Sequence, residues 1–242
     1  MVPDRLEAPR RRARQLLCSL LATGALALPA VAQSFSKSFQ VSPEAGELEV
    51  TNKIGKIKIE ADGSKVKIRA WQHEGTAEVV ATQTPEGRVK VEVVGPGRVD
   101  FEISVPPTSR LDLLCFQGSI TVRKHRGVLR ARIAQGSIEL SGIRSPQVEA
   151  NSMSGNVSFV GEVLPSGSYL FKSFSGRVDA TLPATADFKI SAASGRGGMD
   201  LAEFPIVFGK QTDQAVEGRH GAGRATIRLW TQEGSIHLHR KP

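Results

Sequence analysis

Residues 117–122 read QGSITV and residues 135–140 read QGSIEL: a glycine, then apolar side chains two and four positions later. The same form returns as IGKIKI, SGNVSF, SGRVDA, SGRGGM and EGSIHL, around Gly55, Gly155, Gly176, Gly195 and Gly234. The central spacings from Gly118 to Gly195 are 18, 19, 21 and 19 residues. The last gap of 39 is about two periods, and the first gap of 63 holds an insertion.

With each glycine as origin, thirteen of the fourteen residues at offsets two and four are apolar, the exception being Gly197. Seven and five residues before the glycine all fourteen are apolar or aromatic, from Leu48/Val50 through Leu129/Ala131 to Phe188/Ile190 and Ile227/Leu229. Alternation of period two is the mark of a strand with one buried face, so each unit predicts two short strands with the glycine at the bend between them. A unit of about 19 residues cannot bury its own apolar side. Stacked units turn equal offsets into continuous ladders. A β-sandwich would not demand the same register around every glycine. The expected fold is therefore all-β, a single-domain β-solenoid of two-strand repeats over residues 33–242. Residues 63–106 carry the longer alternating runs KVKIRAW, AEVVATQ, RVKVEVV and VDFEISV, read as an antiparallel insertion near the N-terminus that caps or widens the first turns. Residues 196–223, rich in glycine and polar side chains, read as an irregular loop where Gly197 weakens the ladder.

The first 32 residues differ in kind. Arg10, Arg11, Arg12 and Arg14 precede an apolar segment from Leu16 to Leu28, followed by Pro29-Ala30-Val31-Ala32, the form of a secretory signal peptide cleaved after Ala32. That leader carries five of the arginines and two acids, so its removal lowers the net charge from +8 to +5. Cys115 is then the one cysteine left, and no internal disulfide can form. No later apolar stretch is long enough for a transmembrane segment. The chain is expected to be exported, either to the periplasm or to the cell surface, or secreted.

A signal peptide, repeated Gly-x-[Ile/Val]-x-apolar units, the VDFEISVPP segment and the closing ATIRLWTQEGSIHL together resemble the bacterial "putative adhesin" domain family, over residues 39–238. The resemblance implies an exported β-solenoid of unknown function, related to autotransporter-adhesin head domains. It implies no catalytic residues.

The residues themselves point the same way. Acids at the outward offsets three and five stand singly, with no Gly-x-Ser-x-Gly elbow and no phosphate loop. His237 and His239 share a strand face, with Asp200 at the offset of His239, but too few ligands converge to assign a metal, and no cofactor is expected. Cys115 reads as a small buried filler. The outward offsets before the glycine give a mostly cationic strip, Arg130, Arg132, Lys172, Lys189 and Arg228, ending in an exposed indole at Trp230. Charge and stacking suit an anionic glycan or envelope polymer, with another envelope protein as the other partner class; Glu149 interrupts the strip and argues against nucleic acid. The sequence thus predicts a non-catalytic binding or structural module, with a polysaccharide-active solenoid enzyme as the alternative.

Overall fold

The computed structural model describes residues 34–42 and 46–241, so the signal peptide read at residues 1–32 lies outside the described residues. The described chain is all β. Its strands are β1 (Ser34–Phe39), β2 (Glu47–Glu60), β3 (Val66–Gly75), β4 (Glu78–Gln83), β5 (Arg88–Val94), β6 (Gly97–Ser104), β7 (Arg110–Arg123), β8 (Leu129–Ile143) and β9 (Gln147–Ser154). They continue with β10 (Val157–Gly161), β11 (Ser168–Ser175), β12 (Val178–Pro183), β13 (Phe188–Arg196), β14 (Met199–Asp200), β15 (Val207–Gln211), β16 (Ala215–His220), β17 (Ala225–Glu233) and β18 (Ile236–Lys241).

Each repeat is one rung: a strand before the glycine, a bend, and a strand after it. In β2, β7 and β8 the two halves run through the bend as one strand of 14 or 15 residues. Successive rungs pair in parallel and in register, Ile120 beside Ile138, Ile138 beside Val157, and Val157 beside Val178, all fully buried. The two halves of a rung close on each other across the interior. The Phe159 ring, after its glycine, packs 4.8 Å from Phe171 and 6.0 Å from Tyr169, which precede the next glycine. Burying each such Ile, Leu or Phe contributes about 1.5–3 kcal/mol, and stacking is what makes that burial possible.

The bend explains why only glycine serves there. Gly118 and Gly136 have φ of 142° and 134°, and a Cβ at either would overlap the carbonyl oxygen of the glycine on the preceding rung. Those inward-turned carbonyls are met by side chains three residues before the next glycine. Ser152, Ser173, Thr231 and Ser194 donate hydroxyls to the carbonyls of Gly136, Gly155, Gly176 and Gly234, at 2.8 to 3.1 Å. Cys115 holds this position opposite Gly55, where its thiol lies 3.5 Å from the carbonyl.

The order of rungs in space is not the order in sequence. β17 lies between β11 and β13, and β18 between β12 and β14, so the Gly234 rung is inserted ahead of the preceding one. In that outer rung the bend glycine is Gly197, paired with the Gly234 position, rather than Gly195; Glu233 pairs with Arg196 and Ile236 with Met199. The inward residues are accordingly Ile190/Ala192 and Met199/Leu201, and the exception at Gly197 disappears. The stretch 196–223, read as an irregular loop, contains β14 and an antiparallel hairpin of β15 and β16 that pairs with the edge of β13. The insertion at 63–106 is only half antiparallel. β5 and β6 run parallel to β2 and form a further rung, with Val89/Val91 and Phe101/Ile103 buried on the same ladders, while β3 and β4 cover that rung antiparallel and β1 covers β3. Antiparallel strands thus close the first end of the parallel stack, and β16 covers β13 at the other, which protects those edges.

Candidate functional site

The strand halves before the glycines form one continuous sheet whose outward side chains stand in three columns, at six, four and two residues before the bend. Arg130, Arg132, Lys172, Arg228 and Trp230 all lie on this face. Register places Arg130 between Asp112 and Glu149, Leu170 between Glu149 and Arg228, and Lys172 between Asn151 and Trp230. Lys189 is on the same face but one column outward, because the bend of its rung is Gly197; it pairs with Thr226, and Ser191 stands beside Arg228. A slip of two residues keeps the facing of a side chain and changes its neighbours.

Charge divides the strip into two parts. Arg130 donates to Glu149 at 2.9 Å, and Arg132 to Asp112 at 2.7 Å. Among the described residues no ion pair within 4 Å engages Lys172, Lys189 or Arg228, and all three are exposed. Trp230 is half-buried rather than exposed, since its ring leans on Phe174 with centroids 6.4 Å apart. The column nearest the bend holds Phe116, Met153 and Phe174, all at least half exposed. Strict alternation from the buried position three before the glycine turns that column outward, so the sequence holds the signal that finds it. Leu170, Lys172, Phe174, Arg228 and Trp230 therefore form a contiguous patch in which two uncompensated cations border apolar surface. Beside it, the β15–β16 hairpin encloses a concavity of about 420 Å³ lined by Lys189, Ser191, Arg219, Val207, Phe208 and Glu217.

The opposite sheet, built from the halves after the glycines, carries Glu60, Glu102, Asp179, Asp200, His237 and His239. At its first end a groove of about 510 Å³ gathers Glu60, Asp62 and Glu102, which the sequence reading had left scattered because β6 was not expected beside β2. Glu102 meets Lys58 at 3.4 Å and Arg69 at 3.1 Å, Glu60 meets Arg123 at 3.5 Å, and Asp62 accepts from Ser104. At the other end Asp200 lies beside His237, not in line with His239, for the same two-residue reason. Asp179 flanks His237 on its other side, and ligand atoms of Asp179, His237 and His239 lie within 4.8 Å of one another. Two further titratable groups are interior. Burial pushes the Cys115 thiol up to about 11, which fits a filler and not a nucleophile. Burial likewise pushes the His125 imidazole, in the turn between β7 and β8, down to about 4.

The architecture has relatives. The family model described as Toastrack DUF4097 matches residues 33–239. The chain belongs to that family. Among solved structures, this Toastrack chain is similar to a "putative cell adhesion protein" from Clostridium sporogenes, with 14% identity, a TM-score of 0.51, and 87% of this chain and all of that one covered. It also aligns with a "putative adhesin" from Bacteroides fragilis at 10% identity and a TM-score of 0.33, covering 86% of this chain and 98% of that one. No curated protein matches it. Among the described residues no helix is long and apolar enough to cross a membrane.

Proposed function

We propose that this Toastrack chain is an exported, non-catalytic binding module of the bacterial envelope or cell surface. Its contact surface is the patch of Leu170, Lys172, Phe174, Arg228 and Trp230, and its ligand is an anionic glycan or envelope polymer. The observation that carries this reading is the pairing of two uncompensated cations, Lys172 and Arg228, with the exposed Phe174 and the half-buried Leu170 and Trp230 on neighbouring strands. Cations attract an anionic chain, and the Phe174–Trp230 pair offers the apolar face of a sugar ring a place to stack. The adhesion-related name of the Clostridium sporogenes relative agrees with a contact role, and the leader-like sequence of residues 1–32 agrees with export.

The test is a binding screen against acidic glycans and envelope fractions. Lys172→Glu with Arg228→Glu is expected to lower binding tenfold or more and to reduce its salt dependence, while Arg130→Glu has a smaller effect because that cation is already paired. Binding untouched by the double variant would remove the patch from consideration. Retained binding to an envelope protein but not to any polymer would change the partner class.

A second reading, a polysaccharide-active enzyme, draws on the Glu60, Asp62 and Glu102 groove, since glycosidases work with a carboxyl pair. Cations sit on two of these three acids, and Glu102 is substantially exposed, whereas a general acid needs an apolar setting. Depolymerisation of an acidic glycan that is abolished by Glu60→Gln and Glu102→Gln would favour the enzyme.

A further inference from the structure

On the sheet opposite the proposed contact patch, the inserted rung creates a side-chain cluster that sequence order does not bring together. β18 lies between β12 and β14, so Asp179, His237 and Asp200 stand in one outward column on three adjacent strands, and His239 follows His237 on the same face of β18. Asp179 and His237 are in direct register although 58 residues separate them in the chain.

Each of three side chains has one polar atom held and another left over. The Nδ1 of His239 lies 3.0 Å from Oε1 of Glu203, whose other oxygen accepts the Arg240 amide at 2.6 Å. The Nε2 of His237 is 2.9 Å from the Ser235 hydroxyl. One carboxylate oxygen of Asp179 accepts from Arg177 at 2.7 Å. This leaves His239 Nε2, His237 Nδ1 and the second Asp179 oxygen. A carboxylate on the far nitrogen of a histidine fixes the ring tautomer and raises its basicity as a ligand, the usual support around a metal-bound imidazole. Asp200, turned back to accept the Ala202 amide, is not one of the three.

We propose that Asp179, His237 and His239 form a binding site for a zinc-class divalent transition-metal ion, with Glu203 as the positioning carboxylate behind His239. Two imidazole nitrogens and one carboxylate oxygen make a donor set of borderline softness, suited to zinc and its first-row neighbours and poor for magnesium or calcium. One ligand atom from each of the three side chains lies within 4.8 Å of the other two. A zinc tetrahedron with bonds of about 2.0–2.1 Å has edges of about 3.4 Å, so ligation requires the side chains to close by at most about 1.4 Å through rotation of the half-buried rings. The two imidazole rings already stand side by side, with planes 13° apart and centroids at 5.8 Å. Three protein ligands leave the fourth position for water or for an oxygen of an incoming ligand.

The experiment uses the untagged protein, purified with chelator and then titrated with zinc by calorimetry, with bound metal counted by elemental analysis. One equivalent is expected to bind, magnesium is not, and the thermal midpoint rises with zinc. His237→Gln, His239→Gln and Asp179→Asn are each expected to weaken binding tenfold or more, and Glu203→Gln less. Asp179, His237 and His239 lie on the outer face and Glu203 is exposed in the turn after β14, so circular dichroism and the metal-free midpoint should be unchanged. Imidazole ¹⁵N spectra should show zinc-dependent shifts at His237 and His239 and none at His73 or His220. Absence of binding at 100-fold excess, affinity that survives the His237→Gln/His239→Gln pair, or affinity indifferent to Asp179→Asn would each overturn the site.

Discussion

The rungs from Gly118 to Gly176 follow one another in space as they do in sequence, whereas beyond Gly176 the chain skips a place, builds the Gly197 rung and its hairpin, and returns with β17 and β18 to fill the interval. Both regions use the same bend, the same inward columns and the same hydroxyl-to-carbonyl bond, from Ser173 to Gly155 in one and from Ser194 to Gly234 in the other. Local chemistry therefore sets how a rung is made. It does not set which rung lies next to which.

The strongest way to break this comparison is to remove residues 225–241. A stack in sequence order would lose only an outer layer. Here β13 loses its parallel neighbour and keeps only β16, so residues 188–220 are expected to detach as a unit and become sensitive to limited proteolysis, with cleavage sites confined to that stretch. Cleavage spread evenly along the chain, or none, would contradict the interleaved order.

A smaller effect separates bend glycines from turn glycines. Gly136→Ala drives a methyl into the Gly118 carbonyl at a φ of 134°, and a loss of about 4 kcal/mol or more is expected from denaturant midpoints. Gly87→Ala, at a φ of 86° with nothing within 4 Å of the added atom, should cost about 1 kcal/mol. Similar losses at the two would mean that the bend can open to admit a side chain.

The third effect is acid dependence within the central stack. The unfolded chain takes up a proton on His125 near pH 6.5, and the folded chain refuses it until about pH 4, so this contribution is complete above pH 6.5 and is lost as pH falls through that window. The full difference is about 3 kcal/mol. His125→Leu should flatten the pH profile of stability between 6.5 and 4, and an unchanged slope would assign it to other groups.

Alternation and the glycine register made the buried columns legible, down to the side-by-side Ile120, Ile138, Val157 and Val178. The two-residue slip at Gly195 is not legible in the sequence because SGRGG offers several glycines and an even shift preserves inward and outward facing; Phe188 and Ile190 are buried either way. The order of rungs was illegible for a related reason: every rung presents the same apolar columns, so Val178 matches Ile236 as well as it would match Met199. On the candidate face the facing of Arg130, Arg132, Lys172 and Arg228 was readable, but which of them keep their charge uncompensated depends on neighbours from other rungs. Glu60, Asp62 and Glu102 came together only because part of the insertion runs parallel to β2.

The interleaved rung also has a consequence in time. As the chain is made from its N-terminus, the layers up to Gly176 can close one after another, each upon a template already in place. The segment 188–220 then has no surface to join until residues 225–241 have followed it. That end of the molecule must zip shut in one concerted event, which makes it the last part to mature and the first place where a pause in synthesis would leave raw strand edges open to other chains.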